Sequence, residues 1–433
     1  MDDHTKPFTT LSTLAHELRS GKRPLIEFIN ELEQHFNQRE PEVLAFVPEN
    51  GRFDRLRHEA DQLLADYPEP EKRPLLFGVP IGVKDIFHVD GFVTQAGSQL
   101  PSDILQGKEA ECVTQLKQAG ALILGKTVTT EFAYFAPGPT RNPHHPEHTP
   151  GGSSSGSAAA VGAGLAPLTF GTQTIGSINR PGAYCGAIGY KPSFDRISKR
   201  GVIPLASSVD HIGLFAADFT GLEMAASYLC SHWQPTISNK KPVFGIPEGP
   251  YLDYCTQEAR LHFRQTCRRL HEAGFAVKSI LALLDFEKIK DRHQLLVAAE
   301  AARFHATWRE SYGELYHHKT VALFDKGKAV STRRLNFALN GRLQLRDALT
   351  QLMQKQGIDV WLSPPAPGTA PKGLDSTGDP IMNLPWTHAG LPTVNLPTGK
   401  GQNGLPLGLQ MTGRWYEDEA LIGWGGIVAQ ALA

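Results

Sequence analysis

Three stretches of this 433-residue chain place serines or a lysine among small residues. They are Gly78–Asp85, Gly151–Ala160 and Gly171–Ser177. Small residues let the backbone turn sharply and approach a ligand closely, and they free successive N–H groups to point at one spot. A serine in such a loop is a candidate nucleophile, provided that a base activates it. The pattern favours nucleophilic catalysis, with turn formation or helix capping as the ordinary alternative for serine.

The segment from Gly151 to Ser177 contains neither histidine nor aspartate, the usual partners of a nucleophilic serine. A neutral lysine can act instead, and lowering a lysine pKa from about 10.4 to about 7.5 costs roughly 4 kcal/mol, which burial can supply. Lys84 follows the apolar run Val79–Val83, which is typical of a buried strand. Asp85 then points to the opposite face of that strand, where it does not hold Lys84 in its charged form. Lys84 is therefore the candidate base, against the alternative of a solvated surface lysine.

An alanine-rich segment from Ser155 to Gly164 predicts a helix that begins beside these serines. The N-terminus of such a helix directs a positive dipole and free N–H groups at an anion or a developing oxyanion. Helix-like apolar spacing also runs from Leu11 to Glu40, and Gly21 and Pro24 divide it into two predicted helices.

Helices and short buried strands alternate along the rest of the chain. The predicted helices are Glu111–Ala119, Gln257–Ala273, the longer polar regions Asp291–Tyr316 and Ser331–Gln356, and a final helix at Glu417–Leu432. The predicted strands are Ala121–Gly125, Val243–Ile246, Phe275–Ile280 and Ile358–Leu362. This alternation indicates an α/β layered sheet.

The composition excludes several classes of function. With 43 basic and 44 acidic residues the formal net charge is -1, so nothing global attracts the chain to nucleic acid or to a membrane surface. No run approaches the ~20 apolar residues that span a bilayer. Five scattered cysteines without a CxxC pair argue against a disulfide framework or a zinc site. Together with the acidic start Met1-Asp2-Asp3, these features predict a soluble cytoplasmic protein.

A resemblance to a known family adds to these inferences. The run GGSSSGSAAAVGAG, followed by GTQTIGSINRPGAYCGAIGYKPS, resembles the signature of the amidase-signature serine hydrolases, in the sub-group that carries GTQT. The upstream GVPIGVKDIF, the segments EFAYF and TRNPHHPEHTPGGSSSG, and the tail from Ala389 to Gln410 are similar to that family as well. A lone Gly/Ser loop is a weak signal, but these blocks stand in the family's order and cover most of the chain.

The resemblance implies a single amidase domain over residues 1–433, with a signature core at about 75–215 and a helical insert or lid at about 285–356. The implied fold is α/β, with a large, mixed, twisted β-sheet core covered by α-helices on both faces, a three-layer α/β/α arrangement. The implied chemistry needs no metal or organic cofactor. The expected partners are a small-molecule amide substrate and water, without nucleic acid or membrane, and a homodimer is compatible with them.

Position by position, the resemblance assigns a Ser-Ser-Lys triad. Ser177 matches the nucleophile, Ser153 the bridging serine that follows a cis peptide bond, and Lys84 the general base. Lys84 takes a proton from Ser153 while Ser153 takes one from Ser177, which attacks the amide carbonyl and forms an acyl-enzyme that water hydrolyses. The implied oxyanion hole consists of the backbone N–H groups of Thr174, Ile175, Gly176 and Ser177. The side chains interpreted as substrate pocket, with the protein core as the alternative, are Tyr134, Phe135 and Trp386.

Three positions depart from the family's pattern. Many members have aspartate where this chain has Gln173 and glycine where it has Ile175, and Asn179 replaces the usual arginine, with Arg180 one position later. Glutamine keeps hydrogen-bonding capacity and removes a charge. A β-branched residue avoids φ > 0, so either the oxyanion hole uses an ordinary φ at Ile175 or its geometry is shifted. We also expect the Ile175 side chain to narrow the acyl side of the pocket.

The leading hypothesis is an amidase that hydrolyses a small or medium amide, with ureide and carbamoyl substrates included. One alternative is an amidotransferase A-type subunit that works with partner chains. Another is a non-catalytic amidase-fold binding protein, against which the intact Lys84, Ser153 and Ser177 argue. The histidines of His144–His148 lack the helical geometry of a strong metal site, and Cys185 is interpreted as a small buried hydrophobe.

Overall fold

The computed structural model describes residues 8, 10–235 and 240–433. Its strands are β1 Pro80–Lys84, β2 Leu122–Thr127, β3 Leu168–Gln173, β4 Ile188–Lys191, β5 His211–Ala216, β6 Phe244–Glu248, β7 Val277–Leu281, β8 Val360–Ser363, β9 Thr393–Lys400 and β10 Pro406–Thr412. Its helices are α1 Leu11–Ser20, α2 Leu25–Val43, α3 Arg52–Asp66, α4 Glu111–Gln118, α5 Ser155–Gly162, α6 Asn179–Cys185, α7 Phe219–Leu229, α8 Gln257–Glu272, α9 Phe286–Phe304, α10 Ala306–Tyr312, α11 His318–Lys328, α12 Thr332–Gln356, α13 Leu384–Ala389 and α14 Asp418–Leu432. Over the described ranges, no helix is both long and apolar enough to cross a membrane.

One mixed sheet contains all of these strands, in the order β2-β1-β3-β5-β4-β9-β10-β8-β6-β7. The pairs at both edges are parallel, and the pairs from β3 across to β8 are antiparallel. Parallel neighbours need a crossover connection, and α4 supplies it between β1 and β2 while α8 supplies it between β6 and β7. The predicted α/β fold with a large mixed sheet is confirmed, and so are both predicted helix–strand pairs.

The N-terminal part of the chain forms two helices, as predicted. Gly21 follows α1 with a φ of 73°, in the left-handed region that glycine adopts freely, and Pro24 immediately precedes α2. The alanine-rich helix is also confirmed, since α5 begins at Ser155 and ends at Gly162. Every residue of its first two turns is buried, because α5 packs across β1, β2 and β3.

The helices α9 to α12, named here the helical layer, cover residues 286–356. Within this layer α9 packs against α11 and α12, and outside the layer it packs against α13. The predicted helix Asp291–Tyr316 is interrupted at His305, where α9 ends and α10 begins. The His305 ring is buried, its centroid lies 4.9 Å from that of Phe324, and its Nδ1 lies 3.0 Å from the hydroxyl of Tyr316. The break between α9 and α10 thus coincides with a ring that is buried in an aromatic cluster, and α11 was not predicted.

Strands β1 and β3 bring the candidate catalytic residues together. They are parallel neighbours, with Ile81 paired to Leu168 and Val83 paired to Phe170. The carboxyl ends of parallel strands lie at the same edge of a sheet, where open α/β sheets bind their ligands. Lys84, the last residue of β1, therefore lies beside the end of β3, and α5 begins next to the same edge.

Gly156, in the first turn of α5, fixes how closely this helix approaches the backbone beside the sheet. A Cβ atom at Gly156 would lie 2.1 Å from the carbonyl oxygen of Ala45 and 2.5 Å from the backbone nitrogen of Val128. Backbone atoms cannot rotate away, so we expect Gly156→Ala to lower the free energy of unfolding by about 1–3 kcal/mol. The urea midpoint followed by circular dichroism measures this loss.

Gly423→Ala in α14 is the matched control. Outside its own helix, no described heavy atom lies within 4 Å of the Cβ position at Gly423. Alanine favours a helix over glycine by ~1 kcal/mol, so this midpoint is expected to stay level or rise. Equal midpoints for the two variants would contradict the close approach of α5 to the backbone.

Candidate active site

Lys84 is fully buried, and its amine is surrounded by hydroxyl groups. The distances from Lys84 Nζ are 2.8 Å to Ser153 Oγ, 3.0 Å to Ser154 Oγ and 2.7 Å to Thr172 Oγ1. Burial holds the pKa of Lys84 well below its usual range, and the carboxylate of Asp210 opposes this shift. The geometry therefore favours a neutral amine that is still fully hydrogen-bonded.

Asp85 forms an ion pair with a different lysine. Its Oδ1 lies 2.9 Å from Nζ of Lys126 on β2, and both side chains are buried. The Lys126 amine also donates to the carbonyl oxygen of Phe87 at 2.7 Å. The expectation that Asp85 lies away from Lys84 is confirmed, and no carboxylate of the described residues forms an ion pair with the Lys84 amine.

Hydrogen-bond directions around Lys84 restrict where a proton can move. The Ser154 hydroxyl donates to the carbonyl oxygen of Thr172 at 3.1 Å, so it can only accept from Lys84. A neutral amine has two N–H donors and one lone pair. One N–H group donates to Ser154 and the other to Ser153 or Thr172, so the lone pair accepts from whichever of these two hydroxyl groups remains. Of these two residues, Ser153 lines the same cavity as Ser177. The amine can thus accept a proton from a serine that faces this cavity.

Ser153 and Ser177 line a small cavity, named here the reaction cavity. The peptide bond between Gly152 and Ser153 is cis, as the resemblance implies. Ser177 stands two residues before α6 and is 7% exposed. Tyr134 and Phe135, two of the three predicted pocket residues, also line the reaction cavity.

The third predicted pocket residue, Trp386, lies in the core and not among the residues that line the reaction cavity. Its Nε1 donates to the hydroxyl of Tyr251 at 3.1 Å, and its ring stacks on Trp361 with the centroids 6.3 Å apart. An indole can be buried entirely once its N–H group has a partner. The sequence gives no sign of this partner, which is 135 residues away along the chain.

Hydrogen bonds to its carbonyl oxygens hold the loop from Thr174 to Ser177. His293 Nε2 donates to the Thr174 oxygen at 3.0 Å, and Thr387 Oγ1 donates to the Ile175 oxygen at 2.7 Å. The backbone N–H group of Arg180 donates to the Gly176 oxygen at 3.1 Å. These three residues lie on α9, α13 and α6. The conformation of the loop therefore depends on the helical layer as well as on the sheet.

In a trans peptide unit, the N–H group points away from the carbonyl group of the preceding residue. Fixing the three carbonyl groups therefore turns the N–H groups of Ile175, Gly176 and Ser177 to the other side of the loop. Within the described chain these N–H groups donate to no backbone carbonyl, and Ile175 and Ser177 line the reaction cavity. Gly176 leaves no space for a side chain, since a Cβ atom would lie 2.2 Å from Asn383 Oδ1. The loop can thus present N–H groups to an oxyanion.

Ile175 adopts an ordinary φ, because it is not among the non-glycine residues of the described chain with positive φ. Of the two alternatives for this residue, the structure therefore shows the unstrained one. Its side chain lines both the reaction cavity and a neighbouring cavity of about 200 Å³.

Gln173 and Asn179 form a matched pair. Gln173 Oε1 accepts from the N–H groups of Ile178 at 2.8 Å and of Asn179 at 3.0 Å. Gln173 Nε2 donates to Asn179 Oδ1 and to Thr387 Oγ1, both at 3.0 Å. A carboxylate has no donor, so the two contacts made by Nε2 need an amide. These two departures from the family's pattern are therefore coupled in the structure.

Arg180 is 1% exposed and lines the reaction cavity. Its guanidinium donates to the carbonyl oxygens of Gly152 and Gly378 and, at 3.2 Å, to Thr377 Oγ1. Burial lowers the pKa of Arg180 to about 10. By binding Gly152, Arg180 fixes the peptide that carries Ser153.

His293 and His388 are a buried pair behind the loop, with their Nδ1 atoms 3.2 Å apart. Because His293 Nε2 faces the carbonyl of Thr174, Nε2 carries the proton and Nδ1 accepts from Nδ1–H of His388. Both rings are then neutral. Burial lowers the pKa of His293 to about 3 and that of His388 to about 2.

Two other candidates from the sequence have structural explanations. Cys185 is buried, its Sγ lies 3.3 Å from the carbonyl oxygen of Pro150, and burial raises the pKa of its thiol. His144 Nε2 lies 3.0 Å from the carbonyl oxygen of Cys185. In the part of the chain that the structure describes, no three histidine, cysteine or acidic side chains are grouped so as to hold a metal ion.

Sequence reasoning missed four residues of the site. Thr172 binds the Lys84 amine, Asp210 opposes the pKa shift of Lys84, and His293 and Thr387 anchor the loop. Thr172 belongs to the GTQT segment, where no role was assigned to it, whereas Asp210, His293 and Thr387 reach the site only through tertiary packing and no local motif marks them.

Comparisons with known proteins show which family and fold the chain resembles. The family model described as Amidase matches residues 50–422. The A-type subunit of the glutamyl-tRNA(Gln) amidotransferase of Picosynechococcus sp. is 28% identical, over 98% of this chain and 98% of its own. A crystal structure of an amidase is 29% identical, with a TM-score of 0.89 over 98% of this chain and 100% of its own. A protein from a vestigial complex, which reveals the evolutionary origins of an s-triazine catabolic enzyme, is 26% identical, with a TM-score of 0.86 over 97% and 98%.

Because His293 and His388 are neutral in the folded chain, we expect the free energy of unfolding to fall at acidic pH. Between pH 6.5, the ordinary pKa of histidine, and pH about 3, the unfolded chain binds a proton that folded His293 does not. The free energy of unfolding therefore falls as pH is lowered through this range, by up to ~1.4 kcal/mol per pH unit for each such histidine. His293→Gln keeps a donor for Thr174 and does not titrate, so we expect its stability to fall less steeply between pH 6 and pH 4.

Urea unfolding at pH 6, 5 and 4 measures these slopes. His145→Gln, at an exposed histidine, controls for the substitution itself. Parallel slopes for wild type and His293→Gln would show that this pair does not govern the acid response.

Proposed function

Because this chain belongs to the amidase family, we propose that it hydrolyses a C–N amide-type bond through an acyl-enzyme on Ser177. Ser153 is the proton bridge and Lys84 is the general base. The observation that carries this proposal is the fully buried Lys84 amine, 2.8 Å from Ser153 Oγ, with a pKa held low by burial. A neutral lysine amine can act as a general base.

In the proposed mechanism neutral Lys84 accepts a proton from Ser153, Ser153 accepts one from Ser177, and Ser177 Oγ attacks the amide carbonyl carbon. The C–N bond then breaks as Ser153 gives its proton to the leaving nitrogen and regains one from protonated Lys84, while Ser177 stays acylated. Water repeats the sequence on the acyl-enzyme and releases the acid, which regenerates Ser177. In each half-reaction the ammonium on Lys84 and the oxyanion form together, so the proton transfer leaves the net charge of the site unchanged.

The oxyanion that forms in each half-reaction is stabilised by backbone N–H groups of the loop Thr174–Ser177. One such donor contributes ~2.7–4 kcal/mol to transition-state stabilisation in other enzymes. The carbonyl anchors support this role, because they orient the N–H groups before the substrate binds. The proposed substrates are small or medium amides, with ureide and carbamoyl compounds included.

A second candidate function is that of an amidotransferase A-type subunit. The observation that favours it is the 28% identity with that subunit of the glutamyl-tRNA(Gln) amidotransferase over nearly the whole of both chains. In that function the same acyl-enzyme forms, but the ammonia released passes to a reaction on a partner chain. Ammonia release from simple amides by the purified chain alone favours the hydrolase, and dependence on an added chain favours the amidotransferase.

Labelling with a fluorophosphonate tests the nucleophile directly. We expect intact-protein mass spectrometry to show one added label on wild type, none on Ser177→Ala and slow labelling of Lys84→Ala, because the reagent needs an activated serine. Ser155→Ala is the matched control, since the Ser155 hydroxyl bonds to the carbonyl of Val128 and not to Lys84. A label that persists in Ser177→Ala, or a folded wild type that takes none, would contradict the proposal.

The pH dependence of labelling tests the base. Lys84 must be neutral, so the rate is expected to rise with pH through the pKa of Lys84. The charge of Asp210 raises that pKa, and Asp210→Asn removes the charge while keeping an acceptor for Thr174 Oγ1, which lies 2.6 Å away. The acid limb of the profile should therefore move to lower pH in Asp210→Asn. An unchanged limb, or one displaced to higher pH, would exclude Lys84 as the titrating group.

A further inference from the structure

Three cavities adjoin one another between Ser177 and the surface of the helical layer. The reaction cavity is followed by a cavity of about 200 Å³, named here the stem cavity, with which it shares the side chains of Tyr134, Phe135, Ile175 and Pro380. The stem cavity in turn shares Gln294, Ala298 and Lys326 with an open groove of about 840 Å³ between α9, α11 and α12. A ligand that extends from Ser177 along these shared side chains meets the stem cavity first and the groove second.

The two outer cavities differ in chemistry. The stem cavity is walled mainly by apolar side chains, among them Val297, Leu323, Ile381 and Leu384. The groove has an apolar floor that includes Phe337, which is 65% exposed. Its rim carries five cationic side chains and one anionic one, namely Lys288, Arg292, Lys326, Arg333 and Arg334 against Asp291.

Most of these cations lack a counterion. Among the described residues, Lys288, Lys326, Arg333 and Arg334 take part in no ion pair, whereas Arg292 lies 3.8 Å from Asp285. The chain as a whole has a formal net charge of -1, so the positive charge at the groove is local. Like charges around an apolar cleft repel one another, and an anion bound there relieves the repulsion.

We propose that the substrate is an amide with an apolar stem that ends in a carboxylate or a similar anionic group. The amide lies in the reaction cavity, the stem crosses the stem cavity, and the anion binds in the groove. Beyond the reaction cavity, whose wall includes Arg180, Lys326 is the first cation along this path, because it lines both the stem cavity and the groove. This inference rests on the proposed function, since it assumes that the bond to be cleaved lies at Ser177.

Binding to the inactive variant Ser177→Ala tests the anionic end without turnover. The probes are octanamide and the monoamide of suberic acid, which have the same chain length and differ only in the end group. By isothermal titration calorimetry we expect the acidic amide to bind about five- to tenfold more tightly, an advantage that shrinks as salt concentration rises. Equal affinities, or no binding of either probe, would overturn the proposal.

Lys326→Gln, made in the Ser177→Ala background, tests whether Lys326 binds the anionic end of the acidic amide. We expect the preference for the acidic amide to fall about two- to fivefold, with octanamide bound as before. Lys355→Gln, at an exposed lysine of α12 that does not line the groove, is the matched control and should keep the full preference. A preference that survives in Lys326→Gln, or that falls equally in both variants, would place the anion elsewhere and overturn the assignment.

Fluorophosphonate labelling of wild type separates this inference from the proposed function. If Ser177 is labelled but the acidic amide is not preferred, the proposed hydrolase chemistry stands and the proposed anionic substrate is wrong. If the acidic amide is preferred but no label is taken up, the proposed anion site stands and the proposed hydrolase chemistry is wrong. The two failures are therefore distinguishable.

Discussion

The site depends on one constraint, which is that the amine of Lys84 is buried without a contacting carboxylate. A charged ammonium in such a place is unfavourable, so burial favours the neutral form of the amine. Hydroxyl groups are suited to surround it, because they satisfy its hydrogen bonds without restoring a charge. Three of them, from Ser153, Ser154 and Thr172, occupy this position. The parallel pairing of β1 with β3 and the packing of α5 across both strands bring these groups to Lys84.

The helical layer and the neighbouring helix α13 belong to the same site. A residue of α9, His293, holds the Thr174 carbonyl, and a residue of α13, Thr387, holds that of Ile175. Since each peptide unit is planar, the position of a carbonyl oxygen determines where the next N–H group points. The backbone conformation of the loop is thus fixed on the side away from the substrate, by side chains that do not touch the reacting atoms. This arrangement explains why neutral histidines, which can donate without bringing charge, are buried next to the loop.

The sequence predicts those parts of the molecule that local patterns determine. The apolar run before Lys84, the alanine-rich start of α5 and the alternation of helices and strands all correspond to elements of the structure. Tertiary packing determines the rest. The buried indole of Trp386 has its N–H partner on a distant tyrosine, and α9 ends at His305, whose ring packs in an aromatic cluster. Neither partner is visible in the sequence around these residues.

The departures at Gln173 and Asn179 are consistent with an intact loop, because the hydrogen bonds of Gln173 affect which carbonyl oxygen the Thr387 hydroxyl proton can reach. Thr387 has a single hydroxyl proton, and the carbonyl oxygens of Ile175 and Asn383 lie 2.7 Å and 3.0 Å from its Oγ1. Gln173 Nε2 donates to this hydroxyl, so the Thr387 proton stays available for Ile175. An aspartate at position 173 accepts and cannot donate, and it would compete with Ile175 for that proton. In this chain the amide at Gln173 thus preserves the anchor of the Ile175 carbonyl, and with it the direction of the following N–H group.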